Sequence, residues 1–222
     1  MKTIFQKYIT YFHQKKVGAT LRALWKKKRV KFGVILFTLF TFYWFSLPNP
    51  LFRDPTCMVL EASNGDLLGA RIAADGQWRF PQQDTIPDKF TSALIEFEDR
   101  NFYYHPGVDP AALGRALLQN IRNQRVVSGG STVTMQVIRL SRKDKPRNLY
   151  QKLVEMILAT RLELTTSKRQ VLSLYASHAP FGGNVVGLDA ASWRYFGKQP
   201  KLLSWAEAAT LAVLPNSPAL IH

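Results

Sequence analysis

The chain has one cysteine, Cys57, in 222 residues. An internal disulfide is excluded, and so is a metal site built from paired thiolates. His105 and His178 lack the spacing of metal ligands. No Gly-Lys-Ser/Thr sequence closes a glycine-rich loop, so a nucleotide-binding P-loop is absent. No Ser-His-Asp order stands out, and no repeat or low-complexity segment is visible. Residues 1–31 contain no acid and carry ten Lys and Arg out of a net charge of +15. Residues 32–47 contain no charge at all.

These absences divide the chain. A net charge of +15 first suggests nucleic acid. Two thirds of it sits in one short arm, however, so nucleic acid is not expected as a partner. The small remaining surplus suits an anionic ligand. Apolar residues make up 46% of the chain, which fits a folded core and not a disordered chain.

The uncharged run FGVILFTLFTFYWFSL follows KKKRVK directly. Sixteen residues of helix span about 24 Å, somewhat short of a hydrocarbon core of about 30 Å. Val30 and the run 48–52 can extend it, and Lys31 can snorkel. Tyr43 and Trp44 fall where an outer interface favours amphipathic rings. A cleaved signal peptide would need small residues at its end, and Ser46-Leu47-Pro48 does not supply an A-x-A pattern. A retained signal-anchor is expected, with the basic flank in the cytoplasm and the rest exported. The expected organisation is a basic arm over 1–31, a transmembrane helix over 32–49, a β-rich stalk over 50–86 and a mainly helical domain over 87–222.

In the stalk, Asn64-Gly65 between apolar runs predicts a hairpin with a type I′ turn. GQWRFP reads as a further extended stretch. Helical spacing starts after Pro87 with Phe90, Ala93, Leu94 and Phe97. A helix is expected over Pro110–Gln124. Ser167 with Gln170, and Ser204 with Glu207, predict capping boxes at two later helices.

Three stretches carry candidate chemistry. Glu96, Glu98 and Asp99 crowd the end of an apolar helix, an arrangement that raises a carboxyl pKa toward the range of a general base. A solvated acidic helix end is the competing reading. Next, Ser128–Gln136 is a glycine-rich loop running into a helix, where free N–H groups and the hydroxyls of Ser131, Thr132 and Thr134 suit oxyanions. A plain loop with an N-cap explains it as well. Last, a helix over 147–164 has Leu149, Leu153, Met156, Ile157, Thr160 and Leu164 as its expected inward stripe. Glu155 and Lys152 would then lie on the other side, as a surface pair. Arg115, Arg122, Arg125, Arg139, Arg142, Lys143, Lys145 and Arg147 are strung between these pieces.

The order of the pieces resembles the family 51 glycosyltransferases. These are the transglycosylase modules of class A penicillin-binding proteins and of monofunctional peptidoglycan transglycosylases. EDRNFYYHPG is similar to the family's E-D-x-x-F-x-x-H-x-G, and GGSTVTMQ to G-G-S-T-x-T-x-Q. QKLVE resembles R-K-x-x-E. VLSLYASHAPFGG resembles I-L-x-x-Y-L-N-x-x-x-F-G, and LLSWAEAATLAVLPNSP resembles L-x-x-x-E-A-A-x-L-A-x-L-P-x-x-P. The APFGGN wording is most similar to the 1C type. Gln151, Met135, Ala176, Ser177 and Arg139 depart from the family's usual residues. No Ser-x-x-Lys sequence occurs, and the expectation is a helical domain cut before any transpeptidase domain, either a fragment or an unusually short relative.

The resemblance implies a lysozyme-like, mainly α domain that polymerises lipid II into glycan strands, inverting the sugar and releasing polyprenyl diphosphate. It implies Glu98 as general base and Glu155 as the second catalytic residue, positioning the donor side with its metal or its water. It implies substrate binding by Asp99, Phe102, Arg115, Ser131, Thr132, Thr134, Gln136, Arg139, Arg147 and Lys152. A divalent metal, magnesium or manganese, is implied without a recognisable ligand motif. The expected place is the outer side of a bacterial inner membrane, beside other cell-wall synthesis proteins. Phe102, Tyr103, Tyr104, Val126 and Val127 are expected to meet the membrane surface. A catalytically impaired scaffold of the same fold and a lysozyme-like glycan hydrolase are the alternatives.

Overall fold

The computed structural model describes residues 28–125, 129–143, 145–146 and 148–216. The chain falls into two compact units, residues 1–46 and 47–222.

In the first unit, helix α1 runs over Lys28–Trp44 with none of its 17 residues buried. Phe32, Phe37, Phe42 and Phe45 are among its exposed apolar side chains or lie just beyond it. Apolar side chains face every direction, which is the pattern of a helix meant for an apolar surrounding. The helix stops at Trp44, before the end expected for the anchor. Among the described residues no helix is long and apolar enough to cross a membrane.

The second unit is mainly helical. Strands β1 (Met58–Glu61) and β2 (Leu67–Arg71) pair antiparallel. Strand β3 (Trp78–Arg79) pairs in parallel with β4 (Val185–Val186). The helices are α2 (Asp88–Glu98), α3 (Pro110–Asn123), α4 (Val133–Ser141), α5 (Leu149–Glu163), α6 (Lys168–His178), α7 (Leu188–Phe196) and α8 (Trp205–Val213).

The starts of the helices follow local chemistry. Asp109 accepts from Ala112 N ahead of Pro110, which suits the first turn because its missing N–H would be unpaired there anyway. Both expected capping boxes form, Ser167 with Gln170 and Ser204 with Glu207.

The hairpin differs from its expected turn. Gly65 N donates to Ala62 O and Ala62 N donates to Asp66 O, and Gly65 alone of the turn residues has a positive φ, +84°. A type I′ turn needs two such residues, so this is a type I turn closed by a glycine bulge. A second irregularity follows along the hairpin, where the register slips by one between Leu60 and Glu61 and leaves Leu68 as the extra residue.

The core gathers Phe90 and Leu94 of α2, Val133, Met135, Val137 and Ile138 of α4, and Tyr175 of α6, with Phe102, Phe181 and Leu211. Each large apolar side chain removed from water contributes about 1.5–3 kcal/mol. Helix α2 packs chiefly on α8, and α4 on α5 and α6. Cys57, Ala73 and Phe80 of the β-rich segment belong to the same cluster. Arg79 is buried there, with Nη1 donating to Asp75 at 2.9 Å and to Pro55 O at 2.6 Å.

Helix α5 is turned the other way from the expected stripe. Leu158, Ala159 and Leu162 are buried, whereas Leu149, Leu153, Ile157 and Leu164 are exposed. Apolar residues line both faces of this helix, so spacing alone offers two phases. Packing against α4 selects the one carried by Leu158 and Leu162.

Candidate active site

The cavity at the end of α2 encloses about 630 Å³ and is largely polar. Glu98, Asp99, Arg115, Ser131, Thr132, Gln136 and Arg139 all line it, with Gly129, Gly130 and Asn216. Seven of the expected site residues thus converge on one space. Thr134, Phe102, Lys152 and Glu155 lie off its wall, and Arg147 falls outside the described residues.

Glu98 is the last residue of α2 and is half-buried. Gln136 Nε2 donates to its Oε2 at 2.7 Å, and Asn216 Nδ2 donates to its Oε1. Burial pushes its carboxyl above the ordinary glutamate value. The Gln136 bond and the charge of Arg139 oppose that, and Asp99 adds to it. The result is a carboxylate with stronger proton affinity than a surface glutamate, aimed by two neutral amides.

Asp99 lines the cavity but is fully engaged. Its carboxylate contacts His105 Nε2 at 2.9 and 3.1 Å and accepts from Val133 N at 3.0 Å. It therefore caps α4 and ties the acidic stretch to it. Thr132 donates to Gly107 O at 2.6 Å and accepts from Met135 N at 3.1 Å. Its hydroxyl shapes the loop and holds the helix start.

Thr134 points into the protein and donates to Glu163 Oε1 at 2.6 Å. Lys168 Nζ reaches the same oxygen at 2.7 Å, donates to His105 O at 2.7 Å, and sits 4.4 Å from the Phe102 ring centroid. Phe102 has no exposed surface. It is a core residue under the acidic stretch, and neither the cavity wall nor a membrane surface can reach it. Tyr103 and Tyr104 are exposed, and Val126 and Val127 lie outside the described residues.

Lys152 extends from α5 to donate to Gly129 O in the glycine-rich loop. Its amine is pushed below the ordinary lysine value, first by burial. The charge of Glu155 opposes this and Arg139 reinforces it. Glu98, Arg139, Lys152 and Glu155 thus form a chain of neighbouring charges across three helices, with Arg139 acting on both Glu98 and Lys152. Glu155 is half-buried, on the side away from exposed Leu153 and Ile157. Of the other cations, Lys143 pairs with Asp54 at 2.7 Å, while Arg122 and Arg125 lie away from the cavity wall.

Gly107 seats the acidic stretch on α5. Its φ is +89°, and a Cβ there would come within 2.6 Å of Ala159 O. Only glycine fits both the backbone angle and the space.

Sequence reasoning missed Asn216, Glu163, Lys168 and the Asn101–Asp109 pair, in which Asn101 Nδ2 donates to Asp109 Oδ2 at 2.9 Å. Asp109 ahead of Pro110 was readable as a cap. Asn216 carried no local signal, because its partner lies 118 positions away.

Residues 65–222 match the transglycosylase family. The chain is 44% identical over 176 residues to penicillin-binding protein 1C of Escherichia coli (strain K12), covering 79% of this chain and 23% of that protein. It is 41% identical over 136 residues to penicillin-binding protein 1A of Aquifex aeolicus (strain VF5), covering 61% and 19%. The chain therefore spans less than a quarter of the length of these curated relatives. With most of its length matched and the motif residues gathered round one cavity, the chain belongs to the transglycosylase family.

Proposed function

We propose that this chain is a peptidoglycan glycosyltransferase that polymerises lipid II by inverting transfer. The observation that carries the reading is Glu98. It is a half-buried carboxylate of raised proton affinity, held by two amides in a cavity shared with Arg115, Arg139 and the glycine-rich loop.

The chemistry follows from the residue types. A sugar hydroxyl of the acceptor attacks the anomeric carbon of the donor, and Glu98 takes its proton as the new C–O bond forms. The bond from that carbon to the diphosphate breaks, and the configuration inverts. A diphosphate needs no acid to leave. It needs its developing charge stabilised, which Arg115, Arg139 and Lys152 supply with the loop's N–H groups and the Ser131 hydroxyl. Glu155 acts behind them, keeping Lys152 charged and directed at the loop.

Among the described residues no group of three or more metal-ligating side chains converges. The divalent ion, magnesium or manganese, is proposed to arrive with the substrate's diphosphate, and no step above passes through it.

The membrane is proposed as the setting. Helix α1 is apolar on every side and follows a basic arm, which supports an inner-membrane anchor with the catalytic unit outside. Leu117, Leu118 and Ile121 of α3 are exposed beside Arg115 and Arg122, a mixture suited to an anionic membrane surface. Lipid II and the growing strand are the proposed partners, with other cell-wall synthesis proteins alongside.

A glycan hydrolase would need a second carboxyl free to protonate a sugar leaving group. The other acids on the wall are engaged: Glu96 with Arg100 at 2.7 Å, Asp99 with His105 and Val133, and Asp109 with Asn101 and Ala112. This favours transfer over hydrolysis.

The test is incubation of the purified chain in vesicles with labelled lipid II and magnesium, resolving products by size. Long glycan strands with release of polyprenyl diphosphate are expected. Binding without turnover would instead identify a scaffold, and cleavage of preformed strands would identify a hydrolase.

A further inference from the structure

The two amides that hold Glu98 have different surroundings. Gln136 is 5% exposed and sits within a stretch of α4 that is buried from Val133 to Ile138. Asn216 is exposed, at the end of the short turn Leu214–Asn216, and lines the cavity. Oε2 of Glu98 is therefore tied to the rigid interior and Oε1 to a group at the rim.

A base must present a lone pair to the proton it removes. Oε2 faces a donor that is 5% exposed and anchored in the buried stretch of α4, with only its edge on the cavity wall. Oε1 faces a donor standing in the cavity, where an incoming hydroxyl would stand.

We propose that Asn216 is a positioning residue for Glu98, holding Oε1 toward the cavity in the resting protein and yielding that oxygen to the acceptor's sugar hydroxyl. The proposal rests on the reading of Glu98 as the base. The amide suits this task because it donates a hydrogen bond but has no proton to transfer, so the carboxylate stays unloaded. A cation at the same place would hold the charge more tightly and weaken the base.

Other groups also act on Glu98. Arg139 approaches from α4 and Asp99 follows in the chain. Tyr175 on α6 has a buried hydroxyl whose own pKa is raised by burial and then by the charge of Glu98. The Glu96–Arg100 pair and Arg115 line the same cavity. None of these changes when Asn216 is replaced, so a shift in the base can be assigned to the amide.

The experiment is the pH profile of lipid II polymerisation by the full chain in vesicles, for the unaltered protein, Asn216→Ala and the near-isosteric Asn216→Asp. Glu98→Gln is the reference, and thermal unfolding checks each fold. Asn216→Ala is expected to lower kcat about tenfold without raising KM. Its acid limb should move to higher pH, because a donor to the charged carboxylate is gone. Asn216→Asp should move the limb further, since it adds a like charge. An acid limb unmoved in both variants overturns the proposal, even where the rate falls. If Glu98→Gln keeps the unaltered rate, the base assignment itself fails. If Glu98→Gln is inactive while the limb stays in place, only the role of Asn216 fails.

Discussion

Helices α3 and α4 flank the same glycine-rich loop and are built in opposite ways. In α4, nine residues long, six consecutive residues from Val133 to Ile138 are buried. Its polar members are each matched, Thr134 to Glu163 and Gln136 to Glu98. In α3, fourteen residues long, only Ala116 is buried, while Leu117, Leu118 and Ile121 stand exposed. Both line the cavity, α4 through Gln136 and Arg139 and α3 through Arg115. On the function proposed above, the contrast separates two tasks. A group that must hold a proton acceptor in place is fixed by burial, because a buried, matched polar group has few alternative positions. A group that meets a large amphiphilic ligand is left on a surface that stays open.

Variants can break this contrast. The largest effect is expected at the residue α4 holds. Glu98→Gln should lower lipid II polymerisation about 10³-fold with no loss of thermal stability, as measured by product formation and melting. In the unaltered protein the rate should fall on the acid side with a midpoint above 4.5, the ordinary glutamate value. The sign follows from the cause: burial penalises the charged form, the charged form is the base, and so activity is lost as pH drops through the raised pKa. A midpoint at or below 4.5 would argue against Glu98.

Glu163→Ala should cost about 3 kcal/mol in denaturant unfolding, since it leaves the Lys168 amine and the Thr134 hydroxyl without their shared acceptor. Ser167→Ala should cost about 1 kcal/mol by removing the acceptor for Gln170 N at the start of α6. On α3 the paired change Leu118→Ser and Ile121→Ser should alter stability by about 0.5 kcal/mol at most. It should weaken binding to anionic vesicles in a sedimentation assay. A large stability loss there would mean that α3 is core after all.

The same contrast explains what the sequence disclosed. Helix starts were legible because Asp109-Pro110, Ser167 with Gln170 and Ser204 with Glu207 act within one turn. The gathering of Glu98, Gln136 and the glycine-rich loop followed from the family motifs. The depth of each motif residue did not. Thr134 and Phe102 face inward although their neighbours Gln136 and Asp99 line the cavity. On α5 two apolar faces competed, and only the packing of α4 against it decided between them. The Asn216 contact links positions that no periodicity relates.

One feature of the backbone bears on how the site endures change. At Gly107 main chain lies directly against the main chain of Ala159, with no room for even a methyl group between them. The acidic stretch and the helix that carries Lys152 are therefore held apart by a gauge with no adjustable part. Side chains around the cavity can be exchanged, yet the seat of the acidic stretch on this helix leaves no slack at Gly107. A single added carbon at that point would act as a wedge, prising the segment that bears Glu98 away from the helix that bears Lys152 while leaving both side chains intact.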